Sequence, residues 1–109
     1  FLPSANTIPM IQLQKRRWFL NSQENQLLLY FNFPSDGYYL YISLFDSWGN
    51  PLGMIINGLQ MPHSGTYPLL LEDFPSIIKS GNYILKFEAY HLEAQHKLRQ
   101  IERISFLHE

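Results

Sequence analysis

Hydrophobic and polar residues alternate with a period of two through much of this chain, most regularly in residues 80–90, SGNYILKFEAY. Tyr83, Leu85, Phe87 and Ala89 fall on one side and Ile84, Lys86, Glu88 and Tyr90 on the other, the pattern of a strand with one face on a core. Ser80-Gly81 before it supplies a turn and a defined start. The same period appears upstream. Ile11 and Leu13 alternate with Gln12 and Gln14, predicting a first strand. Leu27, Leu29, Phe31 and Phe33 make the inward face of a second, which Pro34 ends because proline cannot donate to a strand ladder. After a turn at Ser35-Asp36-Gly37, Leu40, Ile42 and Leu44 alternate with Tyr39, Tyr41, Ser43 and Phe45 in a third, whose outer face is unusually aromatic.

Residues 46–50, DSWGN, read as a hairpin loop, with Gly49 free to take positive φ and Asp46 placed to accept from backbone amides ahead of it. Residues 52–57 return as a fourth strand. Asn57-Gly58 and Ser64-Gly65 bracket an irregular crossing, and residues 67–71 make a fifth strand, at an edge because it contains Pro68. Residues 72–79 have helical-turn character around Phe74, Ile77 and Ile78. The segment 92–104 allows two readings. Ala94, Leu98 and Ile101, with Glu93 four residues before Lys97, fit a short amphipathic helix. The favoured reading is a hairpin turning at residues 92–96, with 97–107 returning beside the strand 80–90 and a bulge between Leu98 and the Ile104, Phe106 pair. It closes a sheet edge better than a lone terminal helix would.

These elements predict an all-β fold, an antiparallel immunoglobulin-like or fibronectin III-like sandwich of about seven strands. Residues 1–9, with Pro3 and Pro9, read as a linker and residues 10–109 as one domain. A chain of 109 residues is long enough to bury roughly 60–70% of its unfolded surface. At 46% hydrophobic, 16% aromatic and 16% charged it is not a disordered chain, and apolar runs such as 27–31 are strand-sized rather than membrane-spanning. The net charge of −1 and the lack of any basic patch beyond Lys15-Arg16-Arg17 argue against nucleic acid; that cluster reads as a solvated strand end. With no cysteine, disulfides and thiolate metal sites are excluded. The chain begins at Phe1 with no signal-like segment, and reads as a domain of a longer protein.

Residues 27–33, the run DGYYLYISLFDSWGNPL at 36–52 and SGNYILKFEAY together resemble the immunoglobulin-like domain of flagellar hook-capping proteins. They look closer still to its relatives at the C-termini of secreted and surface proteins of Bacteroidetes-type bacteria, often found with lamin-tail domains. Asp46 and Gly49 match that family's "D…G" hairpin, and Ser80-Gly81 with Tyr83 match its "sGxY" strand entry. The resemblance implies a secreted or cell-surface location and a non-catalytic accessory domain acting as spacer or docking module. A C-terminal sorting domain for type IX secretion shares part of this pattern and is an alternative, as is a carbohydrate-binding module. Many relatives carry an aspartate- and glycine-rich loop before the second strand; here residues 21–26 offer Glu24 alone, so no calcium site is carried over.

No residue pattern predicts a catalytic, cofactor or metal site. His63-Ser64 lacks a nucleophile elbow or an oxyanion loop. His91 and His96 flank the last hairpin without a third ligand at suitable spacing. Trp18 and Trp48 are the residue type that stacks on sugar rings, although Trp18 beside Phe19 reads rather as core or rim. The aromatics Tyr39, Tyr41, Phe45, Trp48 and Tyr90 are expected to share the outward side of neighbouring strands and to form an interaction surface. Neighbouring domains of the parent chain or another surface protein are the expected partners, and edge strands leave room for a weak homodimer.

Overall fold

The computed structural model describes residues 10–20, 25–75 and 79–108; the linker expected at 1–9, the loop residues 21–24 and the segment 76–78 lie outside it. Eight strands are present among the described residues: β1 (Ile11–Leu13), β2 (Arg17–Phe19), β3 (Gln26–Asn32), β4 (Tyr38–Asp46), β5 (Pro51–Met61), β6 (Ser64–Leu70), β7 (Gly81–His91) and β8 (His96–Leu107). They form two sheets, one of three strands in the order β1-β3-β6 and one of five in the order β2-β8-β7-β4-β5. All pairings are antiparallel except β2 with β8. The chain is a β-sandwich of mainly antiparallel strands, as its alternating pattern predicts, with the short β2 added to the expected set. No helix among the described residues is long and apolar enough to cross a membrane.

Side chains of strict alternation meet between the sheets. Ile11, Leu27, Leu29, Phe31 and Leu69 come from the small sheet, and Leu40, Ile42, Leu44, Leu85, Phe87, Ala89, Ile104 and Phe106 from the large one, all buried. Trp18 fills one end of this core. It is edge-on to Phe74 at 5.4 Å between centroids and stacked on Phe106 at 5.9 Å. Phe74 follows a short 3₁₀ turn at Leu71–Asp73, the observed part of the helical-turn character expected there. At the other end Phe33 stacks on Tyr38 at 5.4 Å.

Three expectations are corrected. The fourth strand does not stop at Asn57: β5 runs on to Met61, and Asn57-Gly58 lies inside it. Opposite β4, Leu40 faces Leu59 while Tyr41 faces Asn57, so Gly58 is the extra residue of a bulge. Its φ of +84° is one that glycine adopts without strain. The second correction concerns the last hairpin. It forms with the expected turn, but β8 pairs with β7 in unbroken register from His96 to Phe106, with no bulge after Leu98. Thirdly, the fifth strand begins at Ser64 rather than Tyr67; as β6 it does occupy an edge of its sheet.

The unbroken register turns Gln100 and Glu102 to the core side, opposite Phe87 and Leu85. What makes those polar positions tolerable is β1. As an edge strand it bonds β3 through alternate residues, leaving the Ile11 amide and carbonyl directed away from the ladder. The Gln100 side chain meets both: Oε1 accepts from the Ile11 N–H at 3.0 Å and Nε2 donates to the Ile11 carbonyl at 2.6 Å. Gln100 Nε2 also donates to Glu102 Oε2 at 2.6 Å, and Arg16 Nη2 lies 2.6 Å from Glu102 Oε1. A polar strap thus closes the seam between the two sheets along β8.

Candidate functional site

The outward face of the five-stranded sheet carries the aromatic residues. Nothing among the described residues packs over it. In the β4–β7 register Tyr39 lies opposite Tyr90, Tyr41 opposite Glu88, Ser43 opposite Lys86, and Phe45 opposite Ile84. All four aromatics are half-buried by their neighbours on the same face. The Tyr41 ring lies across Gly58 closely enough that a Cβ there would meet its Cε2 at 3.3 Å. The β5 bulge therefore makes a bed for this ring. Lys86 stands 5.3 Å from the centroid of Phe45, a cation–π geometry, and extends to Glu88 at 3.6 Å.

Between the tyrosines lies a shallow depression of about 330 Å³ lined by Tyr41, Glu88, Tyr90 and Lys97. Lys97 Nζ sits 3.0 Å from Glu88 Oε2. The Lys97 hydrogen bond, helped by the charge of Lys86, holds the Glu88 carboxyl below its ordinary pKa, so it stays ionised at neutral pH. The face is mixed in character: aromatic rings and exposed Met54 and Ile101 stand among interspersed charges of both signs. That composition matches the rim and periphery of non-obligate interfaces more than the centre of an obligate one.

Trp48 does not share this face. It is 87% exposed at the tip of the β4–β5 hairpin. Asp46 builds that loop as expected: its Oδ1 accepts from the N–H of Trp48 and of Asn50, each at 2.9 Å, and Oδ2 accepts from Asn50 Nδ2 at 3.0 Å. Chiefly through the Asn50 side chain, these bonds pull the Asp46 pKa below its ordinary value. Gly49 takes φ +88° in the turn. Trp18, the other tryptophan considered for sugar stacking, is fully buried and is core.

The histidines hold structure. His91 and His96 do meet across the β7–β8 hairpin, as opposite residues. His96 Nδ1 shares a 2.6 Å hydrogen bond with the Tyr38 hydroxyl, satisfying the polar end of a buried ring, while His91 Nδ1 accepts from the Ala94 N–H at 3.1 Å. No group of three or more His, Cys, Asp or Glu side chains able to hold a metal ion occurs among the described residues. His63 is exposed; the contact Asp36 makes there is with its backbone N–H, at 2.6 Å, and not with the imidazole. Sequence reasoning missed the inward Gln100 and Glu102, whose signal was the uninterrupted period from Leu98 to Phe106.

No protein-family model and no curated protein matches this sequence. Among solved structures it is similar to the crystal structure of CopC from Methylosinus trichosporium OB3b, at 18% identity and a TM-score of 0.54 over 90% of this chain and 91% of that one. At that identity the likeness is one of fold, and it places this chain with β-sandwich proteins.

Proposed function

We propose that this chain is a non-catalytic accessory module of a larger secreted or cell-surface bacterial protein, docking through the outward face of its five-stranded sheet. One observation carries the reading: Tyr39, Tyr41, Phe45 and Tyr90 lie side by side on a face that no other described element covers. Tyrosine rings give large contact area at small cost in conformational entropy, and the interspersed Lys86, Glu88 and Lys97 suit a partner of mixed charge. The immunoglobulin-like resemblance supports the accessory role and the surface location, and a neighbouring domain of the parent chain is the first partner to seek.

Nitration of tyrosines by tetranitromethane, followed by mass spectrometry, tests the docking role. Tyr39, Tyr41 and Tyr90 are expected to react in the isolated domain and to be protected in the intact parent protein. Equal reactivity in both removes docking to a neighbouring domain and leaves a passive spacer. A carbohydrate-binding reading draws on Trp48, which stands exposed beside Asp46 and Asn50. Both polar partners are committed to the loop's own hydrogen bonds, which makes this the weaker reading.

A further inference from the structure

The parallel pairing of β2 with β8 creates a cationic cleft that no stretch of sequence displays. Arg17 lies beside Ser105, and Ser105 beside Asn82 of β7, in one outward-facing row. Arg103, two residues before Ser105, stands on the same face one row away, so its Cα is about 8 Å diagonally from that of Arg17. Arg16, Arg17, Ser47, Asn82, Arg103 and Ser105 line a cleft of about 400 Å³. It opens at the end of the sheet opposite the Tyr39–Tyr90 pair.

Among the described residues the charge of this cleft is compensated only in part. Arg16 is paired with Glu102 and also donates to the Arg103 carbonyl at 3.4 Å. The guanidinium groups of Arg17 and Arg103 have no carboxylate partner among the described residues. Two acids of the described residues in this region are engaged elsewhere: Glu102 with Arg16 and Gln100, and Asp46 with its own hairpin loop. Neutral side chains line the same cleft, Ser105 next to Arg17 and Asn82 across Ser105 from it. Ser105 Oγ donates to Asn82 Oδ1 at 2.7 Å, which fixes the amide so that its Nδ2 hydrogens face away from that bond and stay available, with the Ser47 hydroxyl close by.

The geometry points to a binding site for a tetrahedral oxyanion, the phosphate or sulfate group of an ester, held between Arg17 and Arg103. Two planar guanidinium forks present paired N–H donors matched to such oxygens, and the fixed amide and hydroxyl donate to the remaining ones. Arg16 acts as a positioning residue: its bond to the Arg103 carbonyl and its pair with Glu102 hold the strand end that carries Arg17. The site is independent of the aromatic docking face and stands or falls without it.

The test is an NMR titration of the domain with sodium phosphate and with sodium sulfate, at ionic strength held constant with chloride. The amides of Arg17, Asn82, Arg103 and Ser105, and the Nε resonances of Arg17 and Arg103, are expected to shift together and saturably. Arg17→Gln and Arg103→Gln should each weaken binding about threefold or more, and the double variant about tenfold or more, because each removes one of two charged forks. Arg99→Gln, on the same face but outside the cleft, should bind as wild type. Phosphoserine and glucosamine 6-sulfate then separate the two sources: tighter binding of one ester assigns it, and equal binding assigns the oxyanion common to both. Shifts that stay linear, that spread over all arginines, or that survive the double substitution overturn the site. The wild-type titration decides even where a variant fails to fold.

Discussion

Replacing Gln100 by alanine should cost this domain far more than a half-buried polar residue ordinarily would. The amide bridges two sheets, meeting both the N–H and the C=O of Ile11, itself almost fully buried at 1% exposure. Truncation leaves both groups unpaired at the seam, and each buried group left unsatisfied costs about 1–3 kcal/mol. It also removes the donor to Glu102. Allowing water to reach part of the gap, the expected loss is about 2–4 kcal/mol, or roughly 10 °C or more in Tm for a chain of this size. Urea denaturation gives the equilibrium value, with an unchanged slope because no less surface is exposed on unfolding. Hydrogen exchange gives the local one, since the Ile11 amide should exchange much faster. Gln100→Glu sharpens the case. It keeps an acceptor for the Ile11 N–H, loses the donor to the carbonyl, and sets a second carboxylate beside Glu102, so its deficit should be largest at neutral pH and shrink on acidification. A loss under about 0.5 kcal/mol for Gln100→Ala, with Ile11 exchange unaltered, would refute the strap, since that is the size of an ordinary surface substitution.

Other perturbations follow from single contacts. Gly58→Ala places a Cβ at φ +84° and 3.3 Å from the Tyr41 ring, so a loss of about 1–3 kcal/mol is expected by thermal or chemical denaturation, with Tyr41 displaced from its bed. Trp18→Ala removes the ring between Phe74 and Phe106 and should cost about 3–5 kcal/mol; wild-type fluorescence should show one shielded tryptophan, quenched by acrylamide far less than Trp48. The Asp46 carboxyl has its pKa lowered in the folded chain, so its contribution is present above the ordinary value of 3.8 and is lost as pH falls through the lower folded value. Asp46→Asn should therefore lose part of the acid sensitivity of the wild type in that range, measured as Tm against pH; an identical pH profile for the two would contradict the assigned bonds.

The strands were legible because period-two alternation is a local property. In β3, β4 and β7 each inward residue from Leu27 to Phe31, Leu40 to Leu44 and Leu85 to Ala89 is apolar, and a half-buried strand needs nothing else to declare its faces. The Asp46 hairpin was legible for the same reason: its bonds close within five residues. The four strand aromatics could be placed on one face by parity alone, whereas Trp48, two residues past the strand's end in a turn, could not. A glycine inside an apparent strand end reads as punctuation, so Gly58 concealed the continuation of β5. The bulge became necessary only when β4 was laid beside it.

The sequence by itself therefore determined that this protein is a sandwich, which residues fill it, and where its hairpins turn, because each of those follows from near neighbours along the chain. Only the tertiary structure decided what depends on partners dozens of residues away. Gln100 looked like a break in the pattern until Ile11, 89 positions earlier, supplied two backbone groups to bond. Arg17 reads in the sequence as a charged strand end, and only the parallel pairing of β2 with β8 sets it beside Ser105 in a cleft that Arg103 also lines. Polar residues carry no periodic signature of the groups they meet; their pairing is settled by which strands the packed core brings edge to edge.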